Sequence, residues 1–257
     1  MCRIAATCGA HTPLATVLYD PPRSLQELAV EPREQQSGRI NVDGTGVAWF
    51  DEHAAGPEHA ALRYRSQLPP WGDQNLIELS RRLTGRVILA AVRSTTLGIP
   101  QGQAFVHPFA VGSLAGTHNG WISDYRTRVA RPLLAEVSDE TFAELEGNSD
   151  SALLFLLALD AHRAGATLVE AARQATDIAA KVCAAHGATA TLTLVLADHT
   201  GIAAVNQAVG RPANSLYVRS DGVRQWLASE PLDPRLPWQP VPQGSAAVLT
   251  PTALELC

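Results

Sequence analysis

Cys2 has the address that most invites chemistry, because trimming of Met1 makes it the first residue of the chain. Trimming is favoured before a small residue, and it leaves a thiol and a free α-amine on one residue. Such an amine titrates near about 8, against about 10.4 for a lysine, so it can accept a proton close to neutral pH. A nucleophile that carries its own base is a recognised catalytic arrangement. Asn119-Gly120 follows an apolar run. A side-chain amide and a backbone N–H can meet the oxyanion formed when a thiolate attacks an amide carbonyl, although the same dipeptide also suits a tight turn. Arg93 leaves the apolar run 88–92. It is placed either to grip a carboxylate with two parallel hydrogen bonds or to make a strand-end salt bridge. Asp150 lies in Gly147-Asn148-Ser149-Asp150-Ser151. In a first helical turn it either complements the dipole or receives an ammonium group.

The remaining cysteines read differently. Cys8 ends a first strand and is expected to be buried. Cys183 packs within an Ala-rich helical run, and Cys257 is the last residue. Four cysteines in 257 residues match no zinc spacing and form no disulfide framework, so no metal is expected.

The elements that must position these residues follow from periodicity. Residues 3–8 read as a strand. Residues 20–46 read as a long surface loop ending in the turn Asn41-Val42-Asp43-Gly44-Thr45-Gly46. Strands are expected at 47–50, 62–64, 87–92 and 111–117, with a helix at 75–83. Two helices follow, at 149–164 with Ser149 as N-cap and at 167–186 closed by Gly187. Alternating runs at 190–197, 201–207, 215–220, 223–229 and 246–250 read as one antiparallel meander. Strands, two helices and strands again point to two sheets with helices on their outer faces.

A formal net charge of -5, with no basic run, argues against nucleic acid as a partner. No apolar stretch is long enough to span a membrane, and the N-terminus lacks the apolar core of a signal peptide. The expected location is cytoplasmic.

Cys2-Arg3-Ile4, the 41–46 turn, Val92-Arg93-Ser94-Thr95-Thr96, His118-Asn119-Gly120 and Ser149-Asp150-Ser151 occur in the order seen in class II glutamine amidotransferases. The chain resembles these N-terminal-nucleophile hydrolases over nearly its whole length. The resemblance implies an α+β fold, a four-layer αββα sandwich of two antiparallel sheets, forming a single domain over residues 2–257. It implies that Cys2 attacks the γ-amide carbon of a glutamyl group and forms a thioester, with Asn119 and the Gly120 N–H holding the oxyanion. Arg93, assisted by Thr96, would bind the substrate α-carboxylate, and Asp150, with a Gly120 backbone contribution, the α-ammonium. No cofactor is implied. The sequence departs from the family at Leu97, where many members carry His, and at Thr45, where the glycine turn often carries Trp. His107 and His118 are expected to be structural hydrogen-bonders.

Residues 18–25, 68–73 and 227–233 resemble a stand-alone bacterial branch that acts in ergothioneine biosynthesis. That resemblance implies hydrolysis of the γ-glutamyl amide of γ-glutamyl-hercynylcysteine sulfoxide, a small-molecule substrate, with no acceptor domain in the chain. A glutaminase subunit feeding ammonia to a separate synthase, and a hydrolase of another γ-glutamyl conjugate, are the alternatives. Tyr19, Trp71, Asp73 and Trp121 are candidates to meet the cationic head of such a substrate.

Overall fold

The computed structural model describes residues 2–50, 59–95 and 100–257. Strand β1 (Arg3–Pro13) is the spine of the first sheet. Its period-2 alternation sends Ile4, Ala6 and Cys8 to one buried face and Ala5 to the other. Both faces are therefore covered, and the strand reads as a near-continuous apolar run.

The other strands are β2 (Thr45–Phe50), β3 (Leu62–Ser66), β4 (Thr84–Val92), β5 (Phe109–Val111), β6 (Leu114–Ile122), β7 (Ala190–Asp198), β8 (Gly201–Val209), β9 (Tyr217–Ser220), β10 (Arg224–Ala228), β11 (Gln239–Pro240), β12 (Ala246–Leu249) and β13 (Leu254–Leu256). Among the described residues the strands form two sheets. One runs β11-β9-β10-β1-β4-β2-β3 and the other β13-β12-β8-β7-β6-β5. Every pairing is antiparallel. The sheets meet through Ile4, Ala6, Leu89 and Phe50 on one side and Val195, Ile202, Ala204 and Leu249 on the other.

Helices α1 (Ala15–Leu18), α2 (Leu25–Val30) and α3 (Gln74–Leu79) bring Leu14, Val17, Leu18, Leu25, Leu28 and Leu76 against the outer face of the first sheet. Short helices α4 (Ala130–Leu134) and α5 (Asp139–Phe142) precede the two long ones, α6 (Asp150–Arg163) and α7 (Leu168–Ala185). Leu153, Phe155, Leu157, Ala175 and Ala179 from this pair cover the outer face of the second sheet. Ser149 caps α6 by accepting from the Ala152 N–H at 3.1 Å. Thr167 and Glu170 form a capping box on α7, which Gly187 closes at φ +64°. The result is the expected four-layer αββα sandwich.

Three expectations are corrected. The stretch 20–46 is not all loop, because Leu25, Leu28 and Ala29 bury one face of α2. The run 111–117 is split by a turn, and β6 continues through Asn119-Gly120 to Ile122, so this dipeptide lies inside a strand. The late strands do not form one meander. β7, β8, β12 and β13 join the second sheet, while β9 and β10 cross to the first, where β10 pairs with β1 and β9 with β10.

Candidate active site

The strand register brings the site together. In the β1–β4 ladder Arg3 faces Val92, so one further step sets Cys2 beside Arg93. Both share the inward parity of Ile4 and Leu89, which line the space between the sheets. The glycine turn braces Arg93 from its other side. The Arg93 N–H donates to Gly44 O at 2.8 Å and the Asp43 N–H donates to Arg93 O at 3.0 Å. Asp43 Oδ2 then accepts from the Thr95 N–H at 2.7 Å.

Cys2, Arg93, Ser94, Phe105, His107, Gly120, Ser149, Asp150 and Ser151 line one pocket. Of the residues expected to act together, Cys2, Arg93, Gly120 and Asp150 are therefore neighbours. Asn119, the residue before Gly120, is fully buried and is not among the residues that line this pocket; its side chain points between the sheets, toward Ser229. Thr96, expected to assist Arg93, and Leu97 lie outside the described residues.

The Arg93 guanidinium is almost wholly buried. Nη2 donates to Pro100 O at 3.1 Å, Nη1 has no partner among the described residues, and the group lies 5.7 Å from the centre of the Phe105 ring. Burial lowers its pKa, and Cys2, Asp43 and Asp150 oppose that shift. A guanidinium stays charged at neutral pH. The pocket therefore holds a fixed cation with an unused planar edge and a carboxylate, Asp150, at the opposite helix start.

Asp150 Oδ1 accepts from the Ser151 N–H at 2.8 Å and lies 3.3 Å from Ser151 Oγ. Ser151 Oγ is also 3.0 Å from His118 Nδ1, while His118 Nε2 is 3.0 Å from Thr191 O. A carbonyl only accepts, so Nε2 carries the proton. Burial pushes the His118 pKa down, against the pull of Asp150. The neutral ring then accepts from Ser151 Oγ at Nδ1. His107, 3.0 Å from Thr117 Oγ1, is driven well below the usual imidazole range by burial and by His118, Arg93 and Arg65. Both histidines match the expected structural role, and His118 also holds the first turn of α6.

Asn119 Nδ2 reaches Ser229 Oγ at 3.5 Å, and Asn119 Oδ1 has no partner among the described residues. Asn214 Nδ2 fixes the backbone by donating to Asn119 O at 2.8 Å. Ser229 Oγ also accepts from the Ile4 N–H at 2.9 Å. Ser151, Asn214 and Ser229 were not singled out individually from sequence. Ser151 stands next to Asp150, but Ser229 lies 110 residues from Asn119, and no local signal marks that contact.

Three of the four residues expected to meet a cationic head belong elsewhere. Asp73 caps α3 and accepts from Tyr64 Oη at 3.0 Å. Tyr19 donates to Pro70 O at 3.1 Å, which places it with Trp71 in the layer outside the first sheet. Trp121 does follow Gly120, but the Arg211 guanidinium already lies 5.1 Å from its ring centre.

No family model matches the chain. A γ-glutamyl-hercynylcysteine sulfoxide hydrolase of Mycolicibacterium smegmatis is 33% identical over 94% of this chain and 92% of its own length. The chain belongs to the class II glutamine amidotransferase family. A hydrolase of the same name from Mycobacterium tuberculosis is 31% identical over 100% of this chain and 96% of its own. Among solved structures, a class II glutamine amidotransferase domain protein of Silicibacter pomeroyi superimposes with a TM-score of 0.71 at 23% identity, covering 99% of this chain and 98% of that one. The glutamine phosphoribosylpyrophosphate amidotransferase of B. subtilis gives 0.66 at 16%, and this chain spans 48% of it. These likenesses establish the N-terminal-nucleophile hydrolase fold. The family acts on carbon–nitrogen amide bonds, and the chain is an amidohydrolase of that class. Among the described residues, no helix is long and apolar enough to cross a membrane.

Proposed function

We propose that the chain hydrolyses the γ-glutamyl amide of γ-glutamyl-hercynylcysteine sulfoxide, releasing glutamate, with Cys2 as an N-terminal nucleophile. The observation that carries this reading is the gathering of Cys2, Arg93, Gly120 and Asp150 around one pocket. The likeness to hydrolases named for that substrate along nearly their whole length supports the choice of substrate.

In this reading Arg93 holds the α-carboxylate, with Thr96 as a second donor, and Asp150 holds the α-ammonium. Opposite charges at a fixed spacing position the glutamyl group and set its γ-amide before the thiol. After removal of Met1 the Cys2 α-amine takes the thiol proton, and the sulfur adds to the amide carbon. The oxyanion is met by Asn119 Nδ2 and the Gly120 N–H. The long bond from Asn119 to Ser229 leaves that amide free to turn toward new charge. The ammonium then protonates the leaving nitrogen, the C–N bond breaks, and a thioester remains. Water, deprotonated by the same amine, attacks the thioester and releases glutamate and the free thiol.

Purified protein is assayed against glutamine and a panel of γ-glutamyl amides. The named conjugate is expected to be the best substrate, and a Cys2→Ala variant is expected to bind it without turnover. Hydrolysis of glutamine at a rate equal to or above that of every conjugate would overturn the substrate assignment. Activity in protein that retains Met1 would overturn the role of the α-amine.

A further inference from the structure

Glu230, two residues beyond β10, takes no part in the chemistry above. It is 2% exposed, yet its carboxylate collects donors from three segments of the chain. Arg3 Nη1 lies at 3.2 Å and Arg23 Nη2 at 3.3 Å. The N–H groups of Arg33 and Glu34 lie at 2.9 Å and 3.1 Å. Arg3 is itself fully buried, and its Nε donates to the Cys2 carbonyl oxygen at 2.9 Å.

Register explains the meeting. The β1–β10 ladder pairs Ala5 with Ala228, and two further steps bring Arg3 to Glu230. The intermediate rung is real, because the Ser229 N–H donates to Ile4 O at 2.9 Å. The same Ser229 receives Ile4 and Asn119 through its hydroxyl. Ser229-Glu230 thus touches both the nucleophile strand and the residue proposed to hold the oxyanion.

A chain-terminal residue has no preceding peptide to fix it, so rotation about its Cα–C bond swings both its amine and its side chain. A hydrogen bond to its own carbonyl fixes the Cys2–Arg3 peptide plane, and with it the axis about which the amine and the thiol turn. We propose that Glu230 and Arg3 act as positioning residues, a clamp that sets the orientation of Cys2 by holding the plane of the Cys2–Arg3 peptide. The carboxylate fixes the guanidinium, and the guanidinium fixes the carbonyl. A neutral side chain at 230 would take the carboxylate from buried Arg3 and leave Arg23 only Glu31, 3.9 Å away, which accounts for the charge at this site. The clamp rests on the reading of Cys2 as the nucleophile.

Arg3→Lys tests it. Lysine keeps a cation for Glu230, but a compact ammonium lacks the rigid fork that spans carboxylate and carbonyl together. In protein freed of Met1 with methionine aminopeptidase and checked by intact mass, kcat on the γ-glutamyl conjugate should fall by about tenfold or more, as misplacement of a reacting group does. KM should stay unchanged, because Arg93 and Asp150 are untouched. Glu230→Gln should give the same split. Wild-type kcat in Arg3→Lys, or a KM that rises in step with the loss of kcat, overturns the clamp.

A second readout needs no substrate. In a Cys257→Ser background, alkylation of Cys2 by iodoacetamide should change by about threefold or more in Arg3→Lys, because thiol reactivity follows local charge and access. An unchanged rate overturns the clamp. If the wild type cleaves no γ-glutamyl amide, the substrate assignment fails and the alkylation comparison still decides the clamp.

Discussion

Replacing Gly120 by alanine tests the site where it is tightest. A Cβ there would sit inside the van der Waals envelopes of His118 Nε2 and Thr191 O, and 2.6 Å from His118 Cε1. Neither neighbour can yield cheaply, since the ring is buried and the carbonyl belongs to the adjoining strand β7. Overpacking of this kind costs about 1–3 kcal/mol. Breaking the bond from His118 to Thr191 leaves buried polar groups unpaired, for about 1–3 kcal/mol more. The sum, about 2–6 kcal/mol, corresponds to a Tm lowered by roughly 4–24 °C at about 2–4 °C per kcal/mol for a domain of this size. Displacement of the Gly120 N–H from the oxyanion should lower kcat by about 100–1,000-fold. Differential scanning calorimetry and steady-state kinetics read the two effects separately. Adding His118→Ala should not restore Tm, because the clash with Thr191 O remains. A Gly120→Ala protein with wild-type Tm and kcat would refute both the packing and the role given to this N–H.

Further outcomes follow from the charges around the pocket. Arg93→Ala removes the proposed carboxylate partner, and a charged hydrogen bond of about 1.5–3 kcal/mol translates into a kcat/KM lower by about 10–150-fold. Unchanged kcat/KM would remove Arg93 from the site. Asp150→Asn should lower kcat/KM on γ-glutamyl amides but not on glutaryl amides, which lack the α-ammonium; an equal loss on both would contradict the assignment. Burial holds His107 and His118 below their ordinary pKa, so the unfolded chain binds protons first as pH falls. Their contribution to stability is present above about pH 6.5 and is lost progressively as pH falls from about 6.5 to about 5.5. Urea denaturation at the two pH values checks this, and equal midpoints would show that neither ring stays neutral in the folded chain at the lower pH.

The residues that line the pocket were more legible than the strand order around them. Cys2, Arg93, Gly120 and Asp150 were marked by residue type and order, and the structure gathers them. Asn119-Gly120 reads locally as a turn, yet pairing of β6 with β7 across Asn119–Thr193 and Gly120–Leu192 carries the strand straight through. Helix α2 was hidden between Pro22 and Pro32, although Leu25, Leu28 and Ala29 already show helical spacing. Alternation marked β9 and β10 as strands but not their sheet, because period 2 carries no information about the partner strand. Glu230 stood in a motif matched by resemblance, but a carboxylate after a strand says nothing about an arginine 227 residues away.

The position of β1 between β4 and β10 also fixes an order of events during synthesis. The strand that carries Cys2 leaves the ribosome well before its neighbour β10. At about 5–20 residues per second, roughly 11–46 s separate the emergence of Cys2 from that of Glu230. Throughout that interval the N-terminus has an open flank, and Met1 can be trimmed before burial closes over Cys2. On the proposed mechanism, catalytic competence is deferred until the second neighbour of the proposed nucleophile's strand arrives, so a chain truncated before β10 would carry every residue proposed to touch the glutamyl group and still lack a finished site.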